Sequence, residues 1–247
     1  MSCSIVYDDV YYRYQDGTEA LRGLSFTLAH AEHVALLGPN GAGKSTAMLL
    51  ANGVLMPNRG KVQVGSLTLS KETLVSIRQR VGLVFQDPDD QLFMTTVYDD
   101  IAFGPRNMKL SDQEVKKHVD DALAAVSLSD VQKKAPQDLS YGQKKRAALA
   151  TILAMQPDFL ILDEPTSNLD PKGRRQMMAL LAKIESTMLI ATHDLDLAWE
   201  LLPRTIIIDA GLIVADGSTK ELLQNEALLD AHGLELPAAV KYQQATI

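Results

Sequence analysis

The chain has 247 residues, 46% of them apolar and 22% charged, with a formal net charge of -7. That length supplies a core burying roughly three-quarters of the unfolded surface, the acidity argues against broad binding to a phosphate backbone, and no apolar run approaches the roughly 20 residues that span a bilayer. Cys3 is the single cysteine, which excludes an internal disulfide or a cysteine zinc cluster; with a polar N-terminus lacking an apolar signal segment, cytosolic residence is expected, Cys3 is read as a free thiol, and nucleic acid is not an expected partner.

Along the first sixty or so residues, alternating segments at 4–14, 25–28 and 61–64 are separated by Gly17, Gly23 and Gly60, a pattern that predicts a small antiparallel β layer. Short apolar runs at 34–37, 81–85, 159–162 and 188–191 are bounded by polar or turn residues, as expected of a parallel sheet buried on both faces. Between 87 and 157 the strand signal fades. Amphipathic stretches at 112–126 and 143–155 take over there, predicting a helical subdomain of about 87–157 inside an α/β core. Trp199, Met177 and Met178 are expected to pack helices against the sheet. Residues 1–240 read as one domain and 241–247 as a C-terminal tail.

Gly38, Pro39, Asn40, Gly41, Ala42, Gly43, Lys44 and Ser45 fit the phosphate-loop spacing, after a predicted strand and before a helical stretch from Thr46. The glycines let backbone N–H groups curl around an anion, Lys44 neutralises the β- and γ-phosphates of a nucleotide, and Ser45 ligates magnesium. ATP and Mg²⁺ are the expected ligands.

The run 159–162 ends in Asp163 and Glu164, beyond a strand's C-terminal end, where open α/β sheets bind ligands. Side chains alternate along a strand, so the two carboxylates take different tasks: Asp163 is the magnesium partner acting with Ser45, and Glu164 orients and deprotonates the attacking water. His193, past the run 188–191, is placed to donate to the γ-phosphate; His30, His33, His118 and His232 read as ordinary surface or core histidines. A second helix start follows Leu139, where Ser140 and Gly142 suit a polar cap and close backbone approach. Lys144, Lys145 and Arg146 crowd its first turn, against the helix dipole. They read either as a solvated basic turn or as part of a second anion site, which one nucleotide would not need unless it is shared across a dimer.

With these motifs in this order over almost its full length, the chain resembles the ABC ATPase family. The resemblance implies the ABC ATPase fold: a P-loop NTPase core with a parallel sheet, an N-terminal antiparallel β layer and a helical subdomain. It makes Tyr14 the residue that stacks on adenine, Gly38 to Thr46 the Walker A loop, and Gln86 the Q-loop glutamine, assigned both to catalysis and to magnesium. Leu139 to Gln143 becomes the signature, with Ser140, Gly142 and Gln143 on nucleotide; Asp163 and Glu164 match Walker B, Ser167 to Asp170 the D-loop, with Asp170 on nucleotide, and His193 the switch histidine. Tyr11 and Tyr12 compete with Tyr14 for adenine. Two ATP molecules are then sandwiched between this chain and a second ATPase subunit, a copy or a paralogue. Tyr141 and Asn168 depart from the commonest signature glycine and D-loop alanine. From Asp87 to Phe93 and on to Pro105 the chain resembles the ATPases of energy-coupling-factor importers, including the cobalt and nickel uptake group. That implies a peripheral subunit on the cytoplasmic side of the membrane, with a membrane-spanning coupling subunit and a substrate-capture subunit, importing a transition metal or vitamin. A conventional importer's ATPase, and an ABC ATPase outside transport, are the competing functions.

Overall fold

The computed structural model describes residues 4–244, and side chains as far as 242; Cys3 lies outside the described residues. The chain divides into two compact units, one made of residues 4–78 and 186–244 and the other of 79–185.

The first unit opens with β1 (Ile5–Arg13) and β2 (Glu19–Leu28), an antiparallel pair. Alternation drives Ile5 and Tyr7 of β1 to the buried face, and a register shift between Tyr7 and Val10 brings Val10 to it as well. Tyr7 stacks on Phe26 of β2 at 4.3 Å between ring centres. Next comes β3 (His33–Leu37), whose four apolar residues are all buried, so the period of two is lost. It feeds α1 (Lys44–Ala51). The chain then adds β4 (Arg59–Val64), antiparallel to β1, and the short β5 (Leu67–Thr68) beside β4, which completes the antiparallel layer. The helix α2 (Leu74–Arg80) leads out.

The second unit begins at β6 (Val81–Val84), followed by a 3-10 turn at Pro88–Asp90 and the helices α3 (Val97–Asn107), α4 (Asp112–Ala125) and α5 (Tyr141–Leu153). Each helix starts on a residue whose side chain takes up an unpaired N–H: Thr96, Ser111 and Ser140. The last two form reciprocal capping boxes with Glu114 and Gln143. Then β7 (Phe159–Asp163) pairs parallel with β6, and α6 (Pro171–Leu181) follows.

The chain returns to the first unit with β8 (Thr187–Ala191), parallel to β3. After α7 (Leu195–Leu201), β9 (Arg204–Asp209) pairs parallel with the other edge of β3, and β10 (Leu212–Ser218) turns back antiparallel on β9. Three helices close the described chain: α8 (Thr219–Leu222), α9 (Glu226–Ala231) and α10 (Ala238–Gln244). The expected tail from Lys241 is thus helical to Gln244, with Val240 at 2% exposure anchoring the helix; residues 245–247 lie outside the described residues. Among the described residues no helix is long and apolar enough to cross a membrane.

Candidate active site

In the first unit, the loop from Gly38 joins the buried end of β3 to α1. Its glycines are needed for shape. Gly38, Gly41 and Gly43 have φ of 151°, 79° and 106°, and a Cβ at Gly38 would strike the carbonyl of Ile208, while one at Gly43 would strike that of Ala20. Ala42 N donates to Pro39 O at 3.2 Å, and Gly211 N holds Ala42 O at 3.0 Å. Lys44 folds back over this curl, donating from Nζ to Gly38 O at 2.7 Å and Pro39 O at 3.0 Å. Its ammonium is therefore held against the carbonyls at the start of the curl, a cation placed beside a loop of the kind that binds anions. Ser45 and Thr46 fall in the first turn of α1, and the Thr46 hydroxyl lies 2.9 Å from that of Tyr14.

That bond places the three tyrosines. Tyr14, 37% exposed and just past β1, is tied by its hydroxyl to the end of the phosphate loop. Tyr12 packs edge-on against it at 4.9 Å, and Tyr11 lies under the Arg59 guanidinium at 4.8 Å. His193 is exposed in the turn between β8 and α7, braced on both sides: Asp194 N donates to Thr192 Oγ1 at 2.9 Å, and Asp194 caps α7.

In the second unit, Asp163 is the half-buried last residue of β7. Glu164, 7% exposed, leaves the strand with φ of 46°. The expected alternation of two carboxylates at a strand end stops at Asp163: Glu164 has entered a left-handed turn, at a cost on the order of 1–2 kcal/mol for a residue with a side chain. Ser167 closes that turn, donating from Oγ to Glu164 O at 2.9 Å. Gln86 is exposed just beyond β6. The loop it sits on is anchored by Gln91, whose amide oxygen accepts from Phe85 N at 3.1 Å and whose amide nitrogen donates to Ala148 O at 2.8 Å and Thr151 Oγ1 at 2.7 Å on α5.

At the head of α5, Ser140 Oγ accepts from Gln143 N at 3.4 Å while Gln143 Oε1 accepts from Ser140 N at 3.0 Å. A Cβ on Gly142 would meet only Leu169 Cδ2, at 3.6 Å. Among the described residues no neighbour demands glycine there. Ser140, Gly142 and Gln143 face Asn168 and Asp170 across a groove of about 520 Å³. Asp170 Oδ1 caps α6, accepting from Gly173 N at 2.7 Å. The two departures from the usual motifs cause no strain: Tyr141 is the first residue of α5 and is not among the positive-φ residues, and Asn168, at φ of 60°, is a residue type that tolerates that region.

The basic run after the signature is drawn into contacts within the chain, and Arg146 also lines the groove beside Ser140, Gly142 and Gln143. Lys144 Nζ pairs with Asp89 at 2.7 Å, Arg146 donates to Val126 O at 3.0 Å, and Lys145 turns inward to Glu164 O at 2.7 Å. Burial pushes the Lys145 ammonium down to about 8, against the opposing pull of Glu164, Asp163 and Asp87. Asp87 accepts from Asp89 N at 3.0 Å and caps the 3-10 turn, leaving Asp90 as the acid of the loop that is exposed and not engaged in either contact. Lys145, Gln91 and Ser167 lie inside stretches that the sequence reading quoted, but their roles as structural partners were not read there. The signal for Lys145 was helical spacing, since it shares the buried stripe of α5 with Ala148 and Leu149.

A phosphate loop at the end of a parallel strand, a paired Asp-Glu after another, and a capped helix start with an unexplained glycine define an ATP-hydrolysing P-loop protein. The ABC transporter family profile matches residues 21–167. The chain belongs to that family, whose ATP hydrolysis is coupled to transport. It is 43% identical over 244 residues to the energy-coupling factor transporter ATP-binding protein EcfA of Carboxydothermus hydrogenoformans, covering 98% of this chain and 90% of that one. The structure of cbiO1 from Clostridium perfringens, part of the ABC transporter complex cbiONQ, superposes with a TM-score of 0.83 at 36% identity, covering 99% and 100% of the two chains. The dimeric ATP-binding cassette MJ0796 bound to ADP and Pi gives 0.79 at 27% identity, over 87% and 98%. The fold is the ABC ATPase fold.

Proposed function

We propose that this chain is the ATPase subunit of an energy-coupling-factor importer, acting peripherally on the cytoplasmic side of the membrane. The likeness to EcfA along 98% of the chain carries this reading. In it, Tyr14 stacks on adenine, the amides of Gly38 to Thr46 and the Lys44 ammonium hold the phosphates, and His193 donates to the γ-phosphate. Ser45, Asp163 and Gln86 would hold magnesium; hydroxyl, carboxylate and amide oxygens are the hard donors that this ion takes. The ion supplies charge neutralisation at the β- and γ-phosphate oxygens. Glu164 takes the proton of the attacking water as the new oxygen–phosphorus bond forms and the β–γ bridge breaks, releasing ADP and phosphate.

Ser140, Gly142 and Gln143 face the ATP of a second ATPase subunit in a head-to-tail pair, with Asp170 at the edge of that contact. Gly142 supports the pairing, because its lack of a side chain answers no need inside the chain. Phe93, 64% exposed, and Phe103, 42% exposed, meet edge-on at 5.1 Å on the helical part and suit a helix of the membrane-spanning coupling subunit. The cargo is a transition metal such as cobalt or nickel, or a vitamin, delivered by a substrate-capture subunit. Purifying the native complex and identifying its subunits and cargo tests this. A complex that depends on an extracellular binding protein, with no membrane capture subunit, would assign the chain to a conventional importer.

A further inference from the structure

Lys145 is 2% exposed. Burying an ammonium is costly, and an unbranched apolar side chain of similar length would fill the same space without that cost. Packing alone therefore does not account for a lysine here.

Its hydrogen bonds do. Nζ donates to Glu164 O at 2.7 Å and to Ser167 Oγ at 3.2 Å, and Ser167 donates to the same Glu164 oxygen from both Oγ, at 2.9 Å, and N, at 3.2 Å. Three donors thus converge on one carbonyl. It belongs to the residue with φ of 46°. A side-chain-bearing residue stays in that region only where its surroundings over-determine it. Ser167 closes the turn locally with neutral groups; Lys145 reaches it from α5, a separate element, and its bond is charge-assisted.

We propose that Lys145 is a positioning residue for ATP hydrolysis: it clamps the main chain of Glu164 in the left-handed turn that aims the carboxylate, without touching the nucleotide. This rests on the reading of Glu164 as the base. The ammonium's bond is to the carbonyl, so it fixes where the residue sits through the main chain.

Lys145→Met fills the space and removes the donor, whereas Lys145→Gln keeps an N–H donor on a shorter arm. Steady-state hydrolysis and ATP calorimetry on the full chain are the readouts. Loss of alignment costs about tenfold to a hundredfold in kcat, so Lys145→Met is expected in that range, with ATP affinity within about threefold of wild type and Lys145→Gln recovering part of the loss. A kcat within about twofold of wild type in Lys145→Met overturns the proposal. So does an equal fall in affinity and kcat that Lys145→Gln does not relieve, the mark of a merely structural lysine. Should Lys145→Met fail to fold, Lys145→Gln carries the same comparison, with a selective loss of kcat expected and an unchanged kcat overturning the proposal. Adding either change to Glu164→Gln separates the two readings by single-turnover hydrolysis. If Lys145 acts through Glu164, the second change costs little more; if the losses multiply, the lysine acts elsewhere. Wild-type turnover in Glu164→Gln alone would instead remove the base assignment.

Discussion

Lys144 Nζ, in the first turn of α5, lies 2.7 Å from Asp89 Oδ1 in the loop after Gln86. The Asp89 side chain is 60% exposed and that of Lys144 is 17% exposed, so the pair is worth about 0–1 kcal/mol. It nevertheless sorts the acidic loop: Asp87 and Asp89 are used within the chain, and under the proposed function the exposed Asp90 is the acid that would meet the membrane subunit. Asp90→Asn is expected to weaken assembly with the membrane subunit and lower cargo uptake per ATP in the reconstituted complex, while basal hydrolysis by the isolated chain stays unchanged. Wild-type assembly and uptake would show the loop to be a solvated surface.

Glu164→Gln should keep ATP affinity and lose on the order of 10²-fold to 10⁴-fold in turnover, the scale of general-base loss. The substitution preserves size and leaves the main-chain bonds from Lys145 and Ser167 in place. Turnover near wild type in saturating magnesium-ATP would reassign the base.

Lys44→Ala acts at an earlier step. The ammonium that rests on Gly38 O and Pro39 O is the loop's cation, and removing it would leave the phosphates under-neutralised. Titration calorimetry should show weaker ATP binding. Undiminished affinity would mean that the backbone amides suffice.

Much of this was legible before any coordinates. The apolar runs at β3, β6, β7 and β8 are short and bounded by turn residues, and the Ser140–Gln143 box announces a helix start. The sequence reading did not place β9 or β10. β9 does carry a run at Ile206, Ile207 and Ile208, but β10 has no buried residue to give it a period. The left-handed turn at Glu164 has no local signature, because glutamate does not favour it; of the hydrogen bonds that hold it, the charge-assisted one comes from a residue 19 positions away. Charges on a helix start read as solvated, and Lys145 is told apart only by its spacing to the apolar stripe of α5.

Lys145 also makes stability depend on pH. Its folded pKa of about 8 lies below its ordinary value of about 10.4, so between those values the unfolded chain holds a proton that the folded chain has lost. The penalty is therefore present below about pH 8 and is relieved as pH rises towards 10.4. Lys145→Met lacks this group. Urea unfolding at about pH 7.5 and about pH 9.5 should show wild type gaining on the variant by on the order of 1 kcal/mol. A pH-independent difference would mean that the ammonium is not held in a buried setting.

Gly142→Ala separates folding from function most directly. The added methyl would meet only Leu169 Cδ2 at 3.6 Å, ordinary contact, and Gly142 is helical, where alanine is favoured by about 1 kcal/mol. The isolated variant should be as stable as wild type or more so. Under the proposed function the methyl would, however, project where a second subunit's nucleotide would approach the amides at the head of α5, so ATP-dependent dimerisation and hydrolysis should both fall while monomer ATP affinity is retained. Light scattering with ATP on a Glu164→Gln background reads the dimer without turnover. If Gly142→Ala dimerises and hydrolyses like wild type, the head of α5 is not a nucleotide contact and the head-to-tail arrangement loses its support in this chain.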